Sequence, residues 1–190
     1  ADVELISAAY EPALDSVVSS LVENVDGQIS VYLYGSVATG EACPPQSDID
    51  VLVVTRDGRS SAAVADAAKD LSWRYRHLAR EVGIAHATMA GLFGDDIDGL
   101  GGRCFIKHYC VPLHGDDLRV QLPRYRPSAT MAWAFNHNMA AAIAETRHRL
   151  DTANDSGDVK QVCRTVARKV MLAAASLASV INSEWTTDRH

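Results

Sequence analysis

Apolar residues recur at helical spacing from the start of the chain, at Leu5, Ala8, Ala9, Ala13, Val17, Leu21 and Val25. This predicts a helix over residues 3–25 that starts or kinks at Pro12, where the proline ring removes an N–H and crowds the preceding turn. The period then changes. Residues 30–34 read Ser-Val-Tyr-Leu-Tyr, a β-type run that stops at Gly35-Ser36. Pro44-Pro45 makes residues 40–47 a loop, and the Val-rich residues 49–55 read as a strand buried on both faces and closed by a turn at Asp57-Gly58.

Ser60 is placed to cap a second helix that carries Val64, Ala67, Ala68, Leu71, Tyr75, Leu78 and Val82 on one side and Lys69, Arg76 and Arg80 towards water. A third strand follows over residues 84–89. Residues 91–103 are Gly- and Asp-rich, with a break at Gly101-Gly102. Short extended pieces are predicted at 106–108 and 111–113, then a turn at Gly115. Beyond residue 125 the chain is Ala-rich and helix-forming in two stretches, about 130–151 and 158–183, separated by Asn154-Asp155-Ser156-Gly157. The division falls near residue 125: an α/β domain over 1–125 with a small mixed sheet flanked by helices, and an antiparallel helical domain over 126–190.

Composition narrows the partners. The chain has 190 residues, 47% hydrophobic, and 18 Lys plus Arg against 24 Asp plus Glu give a formal charge of −6. That fraction can bury a core, and the acidic balance disfavours long nucleic acid and anionic membranes, which recruit concentrated Lys and Arg. No apolar run approaches the roughly 20 residues that span a bilayer. Cys43, Cys104, Cys110 and Cys163 form no CxxC pair, so neither a disulfide framework nor a zinc site is expected and a cytoplasmic protein is. Residue 1 is Ala, and the end of the chain follows a helical pattern with no Gly or Pro stop, which reads as part of a longer product.

The chemistry concentrates between residues 34 and 54: Tyr34-Gly35-Ser36-Val37-Ala38-Thr39-Gly40, a loop, then Ser47-Asp48-Ile49-Asp50-Val51-Leu52-Val53-Val54. Side chains two apart on a strand share a face, so Asp48 and Asp50 lie side by side. Two adjacent carboxylates repel, and a hard cation such as Mg2+, held by one or two carboxylates plus substrate phosphates, removes the conflict. Gly35 lets backbone N–H groups approach an anion, and the Ser36 hydroxyl adds a donor. Taken singly, a DxD pair at a strand start and a Gly-Ser turn are ordinary features. Together at this spacing they point to nucleotide chemistry.

This segment resembles the signature of the nucleotidyltransferase superfamily that shares its fold with DNA polymerase beta. Residues Lys107 through Leu118, with Leu113-His114-Gly115-Asp116, look like the late strand and turn of bacterial antibiotic nucleotidyltransferases. Cys163-Arg164-Thr165, opening an Ala-rich helix, and Trp185-Thr186-Thr187 are similar to the helical domain of streptomycin and spectinomycin adenylyltransferases. The resemblance implies ATP or another nucleoside triphosphate as donor, two Mg2+ ions and transfer of a nucleoside monophosphate to a hydroxyl of a small acceptor, as in aminoglycoside adenylylation. It implies that Gly35 and Ser36 hold the triphosphate and that Asp48 and Asp50 bind metal; Ser47 beside them and Lys107, which follows a short extended piece in a Gly-flanked segment, are further candidates for the triphosphate. Association with further copies of the chain stays open, and 190 residues fit the catalytic domain plus the beginning of a typical helical partner.

One departure stands out. The superfamily has a third carboxylate on the strand after the next helix, and here that strand reads Val82-Gly83-Ile84-Ala85-His86-Ala87-Thr88-Met89, with no acid. Alternation puts Val82, Ile84, His86 and Thr88 on one face, and His86 is the expected occupant of the third position. Glu81, Asp95, Asp96 and Asp98 could serve only if the chain bends favourably. Three readings follow: an active transferase with His86 or a loop acid in the third role, a nucleotide-binding protein without turnover, or an enzyme repurposed for a natural-product-like small molecule with His86 as acid and base. Arg74, Arg76, His77 and Arg80 offer a basic rim or merely a solvated helix face; His108 stands beside Lys107. On the acceptor side, Trp133, Phe135, His137 and Asn138 read as core or substrate contacts, and Glu145 is the leading candidate for an acceptor-side carboxylate, since a base for the hydroxyl can come from either domain.

Overall fold

The structure, a computed structural model, describes residues 2–56, 62–153 and 155–185. The turn at Asp57-Gly58, the cap at Ser60, Asn154 and Thr186-Thr187 lie outside the described residues. Contacts divide the chain into two units, residues 1–95 with 102–124, and residues 96–101 with 125–190.

The first unit opens with two 3-10 turns, Val3–Leu5 and Ala8–Tyr10, before α1 at Glu11–Asn24. Pro12 sits in the first turn of α1, where its missing N–H has no acceptor to lose. Four strands follow: β1 (Ile29–Tyr34), β2 (Ile49–Thr55), β3 (Val82–Thr88) and β4 (Val111–His114), ordered β3-β2-β1-β4. β1 runs antiparallel to β2 and β4, while β2 and β3 are parallel, so the sheet is mixed. β2 and β3 are joined through α3 (Ala62–Arg74), as a parallel crossover requires.

One sheet face carries Ile29, Val31 and Leu33 of β1, Ile49, Val51 and Val53 of β2 and Val82 of β3, and buries them with Ala13, Val17 and Leu21 of α1 and Val64 and Leu71 of α3. The opposite face carries Tyr32, Leu52 and Val54, also buried. There the Tyr34 ring meets Phe105 of α5 (Ile97–Tyr109) edge-on at 5.1 Å. Burial on both faces is why β2 reads as a continuous apolar run with one charge, Asp50, near its start.

Several expectations need correction. The second helix ends at Arg74, and residues 75–78 are turn, so Tyr75, Leu78, Arg76 and Arg80 are not on it. Gly101-Gly102 does not break the chain, and residues 106–108 are not extended; both lie inside α5. A Cβ at Gly101 would come within 3.1 Å of the Ala134 carbonyl oxygen, so glycine there buys close packing of the second unit rather than a turn. A four-residue helix, α4 (Met89–Leu92), follows β3 directly.

The second unit contains the start of α5 and three further helices, α6 (Ala129–Asn136), α7 (Met139–Asp151) and α8 (Ser156–Asn182). The stretch expected as one helix over 130–151 is interrupted at His137-Asn138. Ser128 and Asp155 cap α6 and α8 with side-chain oxygens. No helix among the described residues is long and apolar enough to cross a membrane.

Tyr32 fixes the corner after β4. Fully buried, its phenol accepts from the Leu118 N–H at 2.8 Å and donates to the Asp116 carbonyl at 3.0 Å, which Ser30 Oγ also reaches at 2.9 Å. Tyr32→Phe leaves the Leu118 N–H without this partner and is expected to cost about 1–3 kcal/mol in urea unfolding. Burial pushes the Tyr32 phenol up to about 12. Below the ordinary phenol range of roughly 10 it is neutral folded and unfolded; as pH rises from there towards 12 only the unfolded chain ionises, and stability falls. The variant should release about one proton fewer on unfolding in that range, measured by the pH dependence of the urea midpoint.

Candidate active site

The sheet register assembles the site at one edge. β1 ends where β2 begins, pairing Tyr34 with Asp50, and β3 begins beside them, pairing Gly83 with Asp50. Gly35 leaves β1 at φ 76° and ψ −159°, then starts α2 (Ser36–Thr39), a helix absent from the sequence reading. Only glycine adopts that backbone without strain. A Cβ on Gly35 would lie 2.7 Å from Asp50 Oδ2, and one on Gly83 would lie 3.4 Å from Asp50 Oδ1. The Asp50 carboxylate is therefore lodged between two backbones that carry no side chains.

Asp48 stands one residue before β2, on the Asp50 side by strand alternation. Its side chain is 12% exposed and forms an ion pair with Arg80, at 2.5 Å from the guanidinium Nη2 to Oδ2. Main-chain bonds set this up: the Arg80 N–H donates to the Ser47 carbonyl at 3.0 Å, and the Ile49 N–H donates to the Glu81 carbonyl at 2.9 Å. Ser47 closes its own loop, its hydroxyl accepting from the Cys43 N–H at 2.9 Å. Gly40 ends α2 at φ 76°, its N–H directed to the Ser36 and Val37 carbonyls, a left-handed helix end that favours glycine.

Residues 14–88 match the nucleotidyltransferase domain family. That segment of the chain is similar to a nucleotidyltransferase domain. Gly35, Ser36, Asp48 and Asp50 all fall inside the matched segment, which ends with β3. No curated protein matches the sequence. Among solved structures, a toxin–antitoxin with AMP-PNP is 17% identical, over 73% of this chain and 96% of that one, at a TM-score of 0.43. The MntA–HepT toxin–antitoxin is 15% identical over 75% of this chain and 97% of that one, at 0.38, and so is the tri-AMPylated Shewanella oneidensis HEPN toxin with its MNT antitoxin, over 75% and 96%. These are distant likenesses.

The remaining expected site residues go elsewhere. His86 pairs with Val53, on the face opposite Asp50, and its Nε2 is 2.9 Å from Thr55 Oγ1. The expected third occupant is thus not brought to the carboxylates, because Asp50 faces the odd-numbered positions of β3, Gly83, Ala85 and Ala87. Lys107, inside α5, donates to the Arg119 carbonyl at 2.7 Å. His108 beside it is held below the ordinary histidine range by burial and by the charges of Lys107 and Arg124. Arg76 lies over the Trp73 ring at 4.1 Å.

In the second unit, Glu145 is exposed on α7 and Trp133 is exposed on α6. Phe135 meets the Trp185 ring edge-on at 6.4 Å. His137 Nε2 lies 3.1 Å from Asp98, and Asn138 Oδ1 accepts from Lys169 at 2.8 Å.

The donor set suits a hard cation in part. Carboxylate oxygens of Asp48 and Asp50 are what Mg2+ takes together with phosphates, and the described residues gather no group of three His, Cys, Asp or Glu able to hold a metal. The neighbour of Asp50 on β3 is a glycine. The sequence pattern pointed to Arg80 only as part of a basic rim or a solvated helix face and did not point to Gly83; the signal was their position at the head of the strand parallel to β2.

Gly35→Ala tests the close approach. It combines a strained φ with a methyl 2.7 Å from Asp50 Oδ2, so it should lower stability by about 1–3 kcal/mol and displace Asp50. Thermal unfolding checks the first, and a shift of the Asp50 carboxyl resonance the second.

Proposed function

We propose that the chain transfers a nucleoside monophosphate from a nucleoside triphosphate to a hydroxyl of a small acceptor, in the manner of aminoglycoside adenylylation. The observation that carries this is the lodging of Asp50 against Gly35 and Gly83, with α2 beginning at Ser36, within a nucleotidyltransferase domain. Gly35 and Ser36 offer the triphosphate backbone approach and a hydroxyl, with no side chain capping the helix start. Asp48 and Asp50 would hold Mg2+, which when bound neutralises phosphate charge and aligns the reacting oxygens.

The acceptor hydroxyl oxygen bonds to the α-phosphorus as the bond from that phosphorus to the bridging oxygen breaks, and pyrophosphate leaves with the bond's electron pair. The hydroxyl proton passes to a base, for which Glu145 is the acceptor-side candidate. With Gly83 and Ala85 beside β2, no acid of β3 takes that role. The same vacancy of function favours a second reading, a nucleotide-binding protein without turnover. His86, bonded to Thr55, supports neither.

Calorimetric titration with a nonhydrolysable ATP analogue separates these readings from the rest. Binding is expected in Mg2+, and its absence both with and without metal sinks both. An active transferase also consumes labelled ATP with a hydroxylated acceptor and loses about a hundredfold or more of its kcat/KM in Asp50→Asn. Binding without turnover across an acceptor panel selects the second reading. Glu145→Gln should flatten the acid limb of the pH–rate profile if Glu145 is the base.

A further inference from the structure

Arg80 belongs to no motif that pointed to the site, yet its guanidinium meets the more buried of the ion pair's two side chains. Asp48 is 12% exposed and Arg80 53%, so the charge that compensates this carboxylate reaches in from the surface. Its reach is set by the main chain, because residues 80–81 are bonded to 47 and 49 on both sides of Asp48. On the other flank Asp50 has Gly83 as its β3 neighbour, a residue that brings no charge of its own.

We infer that Arg80 is the resident counter-cation of Asp48 and competes with a divalent ion for that carboxylate, keeping metal affinity low until a triphosphate brings its own anionic oxygens. The guanidinium is permanently charged and donates in a planar fork suited equally to carboxylate and phosphate, so a bound triphosphate offers it another anion and frees Asp48 for metal. This rests on the reading of the site as a nucleotide site. It makes Arg80 a positioning and affinity-setting residue that couples metal to nucleotide.

The test uses Mn2+ alone, titrated against the full chain and followed by the paramagnetic resonance of free Mn2+. Arg80→Gln and Arg80→Ser remove the charge but keep the main-chain bond to Ser47, and both should bind Mn2+ about tenfold or more tightly than the unchanged protein. Arg80→Lys, which keeps the charge, should bind far less tightly than either. Adding Asp48→Asn to Arg80→Gln should abolish the gain. Unchanged or weaker Mn2+ binding in the neutral variants overturns the inference, as does a gain that survives Asp48→Asn. Because no nucleotide is present, failure of the ATP analogue to bind would remove the transferase reading and leave the Mn2+ result standing, whereas unchanged Mn2+ affinity removes the role of Arg80 and leaves nucleotide binding intact.

Discussion

The contact between the Asp50 carboxylate and the backbone of Gly35 constrains everything around it. It needs the antiparallel register that sets Tyr34 against Asp50, a residue without Cβ, and a φ of 76° that turns the chain away from the sheet into α2. A register slip of one residue would send Asp50 to the other face, into the apolar layer formed with α1 and α3, and bring Ile49 or Val51 to the site. The apolar residues of β1 and β2 are thus what keep the carboxylate where it is: burial of Leu33, Val51 and Val53 forbids the slip. Core and site are specified by the same alternation.

Parallel pairing with β3 has a different consequence. It delivers a glycine beside Asp50 and puts His86 on the Thr55 side. His86 then serves the sheet, its ring nitrogen within hydrogen-bond distance of the buried Thr55 hydroxyl. Asp48 is ion-paired with Arg80, which lies outside the signature, and the chain's net charge of −6 has no bearing on that local contact.

Particular elements show what was legible in the amino-acid order. β1 and β2 were, because β-branched and aromatic runs bounded by glycine and proline have few alternatives. The Gly35-Ser36 and Asp48-Ile49-Asp50 pair was, because it stands where β1 ends and β2 begins. α5 was not: Gly101-Gly102 reads as a break by local propensity, and it is helical because close packing against Ala134 and Leu92 outweighs the entropy that glycine loses there. The face of His86 was also hidden. Alternation groups residues within one strand, but only the register with β2 says which group faces Asp50.

That register also explains how Arg80 comes to the site although no spacing rule links it to the aspartates. The hydrogen bonds from Arg80 to Ser47 and from Ile49 to Glu81 are the first rungs by which residues 80–81 join β2, and they flank Asp48. Any sequence that starts β3 in this register places residue 80 beside residue 48. The charge on that residue is then free to vary without disturbing the fold, since its side chain is half-exposed and its main chain makes the bond. A neutral residue there would leave the carboxylate pair to bind cations unaided; an arginine ties the availability of Asp48 to whatever anion can draw the guanidinium away. The chemistry of the site is therefore tuned at a surface position, while the buried strands hold its geometry constant.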